Sequence, residues 1–585
     1  MGPIFKLIGG GEVGGKARGL SLAAVCLRGP GGTTGRPVLP GPELQGVTVP
    51  ETWVIGTDVF EEFVECNQLR RFSPGACDLD EFGELSAAFA AASFPEGVRG
   101  ELTGLLEEMT YPLAVRSSSR LEDSLDYSFA GKYYTTFISN RGSLPARLAQ
   151  LEGAVKEVFA SAYGPASVTY RRKRGLGEDS MAVMIQRLVG RQQGSLFYPE
   201  IAGVGYSRNY RRWTERVKAE DGVLRLVFGL GTRCTGRGYA RLASLTDPEL
   251  RPEGHHPRDV ARYSQEIFDA LDLETGQLGS WDINRRPDVR RRHPHFSWYS
   301  QVYLPGYEEL RDSWPAGEDC PPGTRYVLSF PRLSQRFRPV LTRVASLFRL
   351  LEEAMGTPVD IEFAYDTETD DFALLQARAL SSYEEFSPVD IPAVLPGQVL
   401  LRGDRMLTNG VLAGVQYLIY VDPFHYRQAS DKSLVAREVG RLNQLLAGER
   451  YILVGPGRWG SSNPAQGVPV LYQDITHAGL LVEVGIQSES FIPELSYGTH
   501  FFADLESDHI LYLPVFTHLP GNVFRREWFL SAGSPVARSL ASQHPAVRVC
   551  TGPFTAYLDG RRSLGVVCCQ DQESCPSAGD RVFWA

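Results

Sequence analysis

The feature that most constrains this chain is the alternation of two kinds of apolar pattern. Leu144, Leu148, Leu151, Val155, Val158, Phe159 and Ala162 recur at helical spacing, and so do Val340, Val344, Leu347, Leu350 and Leu351. Both sets predict amphipathic helices. Short β-rich runs at residues 182–185, 224–228 and 372–375 stand between and beyond them and read as strands. A chain built this way folds as α/β or α+β, because each apolar sheet face needs a layer of helices to cover it. No run of eighteen apolar residues interrupts the pattern, and residues 1–6 carry neither a basic n-region nor an apolar h-region. We therefore expect no membrane association and a cytoplasmic location.

At 585 residues the chain has room for several domains or subdomains of ~100–200 residues each. With 60 Lys and Arg against 69 Asp and Glu, the net charge of −9 gives no support for a nucleic-acid partner. The basic runs at residues 208–218 and 285–295 lack interleaved aromatic residues and read as solvated faces. The nine cysteines include no C-x-x-C, which predicts reduced thiols and argues against a zinc site. Residues 29–46 are too rich in Gly and Pro for regular structure, and residues 270–325, with repeated prolines, read as an irregular excursion. A proline-rich stretch at residues 387–396 predicts the main boundary, between a domain of residues 1–385 and one of residues 386–585.

Three clusters carry candidate chemistry. The first is Gly9-Gly10-Gly11-Glu12-Val13-Gly14-Gly15-Lys16-Ala17, after a strand-like run and before a helix expected to begin near Leu20. It satisfies G-x-G-x-x-G, but the acid that a dinucleotide fold needs about 20 residues on would fall in the Pro/Gly loop. It nearly satisfies the P-loop, but Ala17 cannot ligate magnesium as Ser or Thr would. What remains is a glycine-rich turn, a helix N-terminus and one lysine, which suit phosphate; a plain glycine turn is the other reading. The second cluster is Ala114-Val115-Arg116-Ser117-Ser118-Ser119-Arg120-Leu121-Glu122-Asp123, with Ser128-Phe129-Ala130-Gly131-Lys132 after it. A guanidinium fork beside hydroxyls is an arrangement that phosphate oxygens favour. The third is Val359-Asp360-Ile361-Glu362-Phe363-Ala364 with Leu374-Leu375-Gln376-Ala377-Arg378, two strand-like runs able to bring a carboxylate, a carboxamide oxygen and a guanidinium together.

In this order and spacing the clusters resemble the nucleotide-binding domain of the pyruvate phosphate dikinase, phosphoenolpyruvate synthase and rifampicin phosphotransferase family. Further matching segments are Pro50-Glu51-Thr52-Trp53-Val54-Ile55-Gly56-Thr57, Ile185-Gln186-Arg187-Leu188-Val189, Ala202-Gly203-Val204-Gly205-Tyr206-Ser207 and Phe228-Gly229-Leu230-Gly231-Thr232. The resemblance implies a bilobal ATP-grasp-type domain over residues 1–385, followed by a smaller α/β domain. It implies that Lys16 and Arg116 grip the triphosphate, that Gln186 and Leu188 lie beside adenine, that Glu362 and Gln376 hold Mg2+, and that Arg378 stabilises the moving phosphoryl group. ATP and Mg2+ are the implied cofactors, and a small molecule or a protein the phosphoacceptor.

Two departures stand out. Lys132 replaces the family's usual Gln, and Thr232 its usual Glu after G-L-G. The swivelling phosphohistidine of the dikinases has no convincing counterpart: His477 lacks the preceding glycine pair, and His500 reads as a structural histidine. Beyond residue 385 about 200 residues remain, fewer than the ~250 of a (β/α)8 barrel. The loop Gly455-Pro456-Gly457-Arg458-Trp459-Gly460-Ser461-Ser462 reads either as a second anion pocket or as a tight structural loop with Trp459 packed beneath it. The expectation is an ATP- and Mg2+-dependent phosphotransferase; the alternative is a catalytically weak or inactive ATP-binding sensor or regulatory module.

Overall fold

A computed structural model describes residues 5–29, 40–72, 79–122, 133–173, 176–208, 217–234, 240–251, 255–314, 321–379, 398–404, 410–460, 467–486, 510–531, 540–560 and 562–569, with residues 389, 391, 392 and 505. The chain divides into two compact units, one of residues 1–209 and 217–382, the other taking in residues 383–585.

The first unit holds two main sheets. The first has the order Phe5–Ile8, Thr52–Ile55, Met181–Arg187, Leu113–Ser119, Thr135–Ile138; its first pair is parallel and the rest antiparallel. One face of it is closed by the helices Thr57–Cys66, Leu79–Ala91, Glu96–Glu108 and Leu144–Ser161. Phe60, Phe63, Phe94 and Phe159 pack there with ring centroids 4.7 to 6.1 Å apart. The second sheet has the order Arg241–Ser244, Val223–Phe228, Ile201–Tyr206, Val359–Tyr365, Phe372–Ala379, Val47–Thr48, antiparallel except at its last pair. The helix Arg338–Met355 covers it, burying the predicted stripe of Val340, Val344, Leu347, Leu350 and Leu351. The other predicted helix is observed as Leu144–Ser161.

The helix Gly14–Arg28 starts earlier than expected and touches strands of both sheets. The cause is two glycines. A Cβ on Gly14, whose φ is +77°, would lie 1.5 Å from the carbonyl oxygen of Ser118 in the first sheet. A Cβ on Gly19 would lie 2.1 Å from the carbonyl oxygen of Ala377 in the second. Only glycine permits so close an approach of backbone to backbone.

Residues 270–325 are not the irregular excursion that their prolines suggest. The strands Ile267–Asp272 and Leu278–Asp282 pair in an antiparallel four-stranded sheet with Leu196–Tyr198 and Arg191–Gln193. Glu309–Arg311, Gln301–Leu304 and Arg325–Val327 form a three-stranded one. These strands have three to six residues each, short enough to fit between prolines, so no long apolar run announces them.

The second unit is built on one eight-stranded sheet: Leu511–Phe516, Ala478–Gly485, Tyr451–Pro456, Gly410–Val421, Val547–Asp559, Leu564–Cys569, Val399–Gly403, Val523–Phe524. The first four strands are parallel and the rest join antiparallel. The helices Pro423–Gln428 and Lys432–Leu445 connect Gly410–Val421 to its parallel neighbour Tyr451–Pro456, as a parallel pair requires. Apolar clusters lie around Leu442, Leu453 and Leu481 and, separately, around Leu418, Val454 and Val482. Leu453 and Val454, like Leu481 and Val482, are successive strand residues of alternating direction that fall in different clusters, so both faces of the sheet are covered. Trp459 is fully buried against Gly455, donating from its backbone N–H to Glu483 Oε1 at 3.0 Å and from its ring N–H to the Val482 carbonyl at 3.1 Å. That is the packed-loop reading; residues 461–466, which the anion-pocket reading needs, lie outside the described residues.

Candidate functional site

All seven residues of Leu113–Ser119 are buried, and their side chains alternate between two different environments. Leu113 and Val115 enter the aromatic core, so Ala114, Arg116 and Ser118 face the other way, toward the second sheet. Ser118 Oγ accepts the Ala17 N–H at 3.1 Å and donates to the Val13 carbonyl at 2.8 Å, which seats the N-terminus of the helix Gly14–Arg28. Lys16, in the first turn of that helix, reaches Glu122 Oε1 at 2.6 Å and Ser117 Oγ at 3.0 Å. Glu122 is itself held by the Ser119 backbone N–H at 3.3 Å and by the Ser117 hydroxyl at 3.2 Å.

From the second sheet, Glu362 pairs in register with Gln376, and Asp360 with Arg378. Two-residue spacing along each strand puts all four side chains on one face. Arg116 Nη2 donates to Glu362 Oε2 at 2.5 Å and to Gln376 Oε1 at 2.7 Å, and its Nη1 donates to the Leu375 carbonyl at 3.2 Å. Gln186 is buried on the strand beside Arg116 and donates to the same Leu375 carbonyl at 3.5 Å and to Thr52 Oγ1 at 3.4 Å. Arg378 grips Asp360 through Nε at 2.7 Å and Nη2 at 2.6 Å.

The electrostatics follow from this crowding. Burial pushes the Glu362 carboxyl up, but the positive charges of Arg116, Lys16 and Arg378 outweigh it and hold the group below the usual carboxylate value. Burial, with Asp360 adding to it, pushes the phenol of Tyr206, register partner of Asp360, up to about 12.

The structure thus brings Lys16, Arg116, Gln186, Glu362, Gln376 and Arg378 to the facing sides of the two sheets. Leu188 stands apart: its side chain is buried in the apolar core and its backbone N–H donates to the Pro112 carbonyl at 2.9 Å. Sequence reasoning assigned no role to Glu122 or Asp360, although both lie within the clusters it singled out. The signal for Asp360 was its two-residue spacing from Glu362; for Glu122 it was an acid three residues after a buried serine. Thr232, read as the loss of a carboxylate, donates to Asp269 Oδ2 at 2.7 Å, and Arg233 Nε reaches Asp269 Oδ1 at 2.7 Å. A carboxylate from the strand Ile267–Asp272 therefore stands beside position 232. Lys132 and His500 lie outside the described residues. His477 is half-buried just before the strand Ala478–Gly485, with its backbone N–H on Asn443 Oδ1.

The sequence model of the family described as pyruvate phosphate dikinase, AMP/ATP-binding domain, matches residues 11–394. The chain belongs to that family. Among relatives of the AMP/ATP-binding domain, phosphoenolpyruvate synthase of Pseudomonas aeruginosa (strain UCBPP-PA14) is 25% identical over 350 residues, covering 57% of this chain and 37% of its own. Rifampicin phosphotransferase of Streptomyces sviceus is 24% identical over 362 residues, covering 58% and 33%. An uncharacterized phosphotransferase of Bacillus subtilis (strain 168) is 32% identical over 170 residues, covering 28% and 18%. The match spans about a third of the length of the first two relatives. No helix among the described residues is long and apolar enough to cross a membrane.

Proposed function

We propose that the protein is an ATP- and Mg2+-dependent phosphotransferase, with nucleotide held between the facing sides of the two sheets of the first unit. The observation that carries this reading is the meeting of Arg116, Glu362 and Gln376 beside the Arg378–Asp360 pair. In this reading Lys16 and Arg116 bind the phosphate oxygens, Gln186 lies beside the base, and Arg378 neutralises charge on the phosphoryl group as it moves.

The oxygens of Glu362 and Gln376 already converge on one positively charged nitrogen, and hard oxygen donors fit Mg2+. Two protein donors match its habit of binding through one or two side chains plus substrate phosphates. When bound, the metal would supply charge neutralisation on the phosphates. The acceptor is a small molecule or a protein, presented by residues 386–585 or by a partner.

A second reading, a nucleotide-binding sensor without turnover, is motivated by Thr232 standing where the family usually has Glu, the neighbouring carboxylate coming instead from Asp269. One experiment separates the two: incubation with ATP and Mg2+, reading AMP against ADP and searching for a phosphorylated residue by mass spectrometry. We expect turnover, lost in Arg378→Ala and Glu362→Ala while circular dichroism is unchanged. Full turnover in both variants would sink the proposal, and binding without turnover in the wild type would favour the sensor.

A further inference from the structure

Among the described residues, each of three cations of the site has a carboxylate of its own: Lys16 with Glu122 at 2.6 Å, Arg116 with Glu362 at 2.5 Å and Arg378 with Asp360 at 2.6 Å. The pairs are not equivalent. The side chains of Glu122 and Asp360 are 1% and 6% exposed, sealed against exchange, whereas Glu362 keeps 40% of its side-chain surface accessible. The Arg116–Glu362 pair is therefore the one whose partners can be traded. Its arginine also takes the carboxamide oxygen of Gln376, at 2.7 Å, so one guanidinium occupies both oxygen donors.

We propose that Arg116 is a displaceable internal cation that makes metal and nucleotide binding mutually dependent. The inference rests on the reading of the site as one for ATP and Mg2+. A divalent cation arriving alone meets oxygens already claimed by a guanidinium and is repelled by it. ATP arriving without metal can draw Arg116 to its phosphates only by leaving the Glu362 carboxylate bare against them, a like-charge encounter. Only when both enter do the charges balance, with Arg116 turned to phosphate and the Glu362–Gln376 oxygens freed for the metal. By linkage each ligand then raises the affinity of the other by the same factor.

The two partners of the pair should respond in opposite ways. Glu362→Gln removes the bare carboxylate and loosens Arg116, so metal-free nucleotide binds more tightly. Arg116→Gln frees the oxygen pair, so metal binds without nucleotide. A variant that merely loosened the fold would weaken both.

The test uses the full chain, the β,γ-imido analogue of ATP and Mn2+. Analogue binding is measured by calorimetry in the presence of EDTA or Mn2+, and Mn2+ binding by its paramagnetic resonance signal with and without analogue. In the wild type, once chelation of Mn2+ by the analogue measured without protein is subtracted, we expect each ligand to tighten the other about tenfold or more. Glu362→Gln should bind metal-free analogue about fivefold more tightly than wild type, with the mutual effect largely gone. Arg116→Gln should bind Mn2+ alone more tightly than wild type does. Equal Mn2+ affinity with and without analogue in the wild type overturns the inference, as does weaker metal-free binding in Glu362→Gln. Absence of analogue binding even with Mn2+ overturns the ATP reading on which it rests.

Discussion

Arg378 shows how much of a site's chemistry can depend on a neighbour. Its guanidinium is fixed by both oxygens of Asp360, whose side chain is buried, so the arginine presents one orientation rather than a distribution. We expect Asp360→Asn to leave the fold intact and to lower kcat about tenfold or more with a smaller change in KM for ATP, because orientation matters most where charge develops. Glu200 is a residue of the opposite kind, structural and far more deeply buried. Burial alone would raise its pKa, but hydrogen bonds with His293, Thr367 and Tyr299 outweigh burial and bring it from 4.5 to about 2. A depressed pKa means that the native state binds fewer protons than the unfolded one. The stabilisation is complete above the unfolded value and lost as pH falls through the native one. The difference corresponds to roughly 3 kcal/mol. Glu200→Gln should therefore cost stability of that order at pH 7 and flatten the pH dependence between 4.5 and about 2, checked by urea unfolding at pH 7 and pH 3.

At the scale of elements, the helix Gly14–Arg28 decides where the first cluster lies. Gly14 belongs to the glycine cluster that resembles phosphate-binding patterns in sequence, yet it and Gly19, which lies outside that cluster, serve contact with strands of two sheets. We expect Gly19→Ala, which drives a methyl group toward the Ala377 carbonyl, to lower stability by about 1–3 kcal/mol and to weaken nucleotide binding. Thermal unfolding and calorimetry would show it. The long helices Leu144–Ser161 and Arg338–Met355 were legible because each carries several turns of apolar stripe. The strands Gln301–Leu304 and Arg325–Val327 were not, since three or four residues between prolines contain too little periodicity to read. The site was legible as clusters but not as pairings. Which acid holds which base depends on strand register, as with Asp360 opposite Arg378, and register is set by tertiary packing.

For the molecule as a whole, the sheet of the second unit has, among the described residues, apolar clusters of its own on both faces. Residues 383–585 produced alone should therefore unfold in one cooperative transition with a native near-ultraviolet dichroism signal. That unit has its own acid-sensitive group. Burial would raise the pKa of Asp422, but Arg526, the His425 N–H and Tyr420 hold it at about 2, so its contribution is also lost below the ordinary carboxylate range. In the first unit, the helix seated on the carbonyl oxygens of Ser118 and Ala377 has a mechanical meaning. Two sheets packed on one rod at such close range share it as a common support, so a side chain that enlarges either contact disturbs both. The same packing fixes Lys16, which rides on that rod within one turn of where it meets the first sheet, at a set distance from the strands of both.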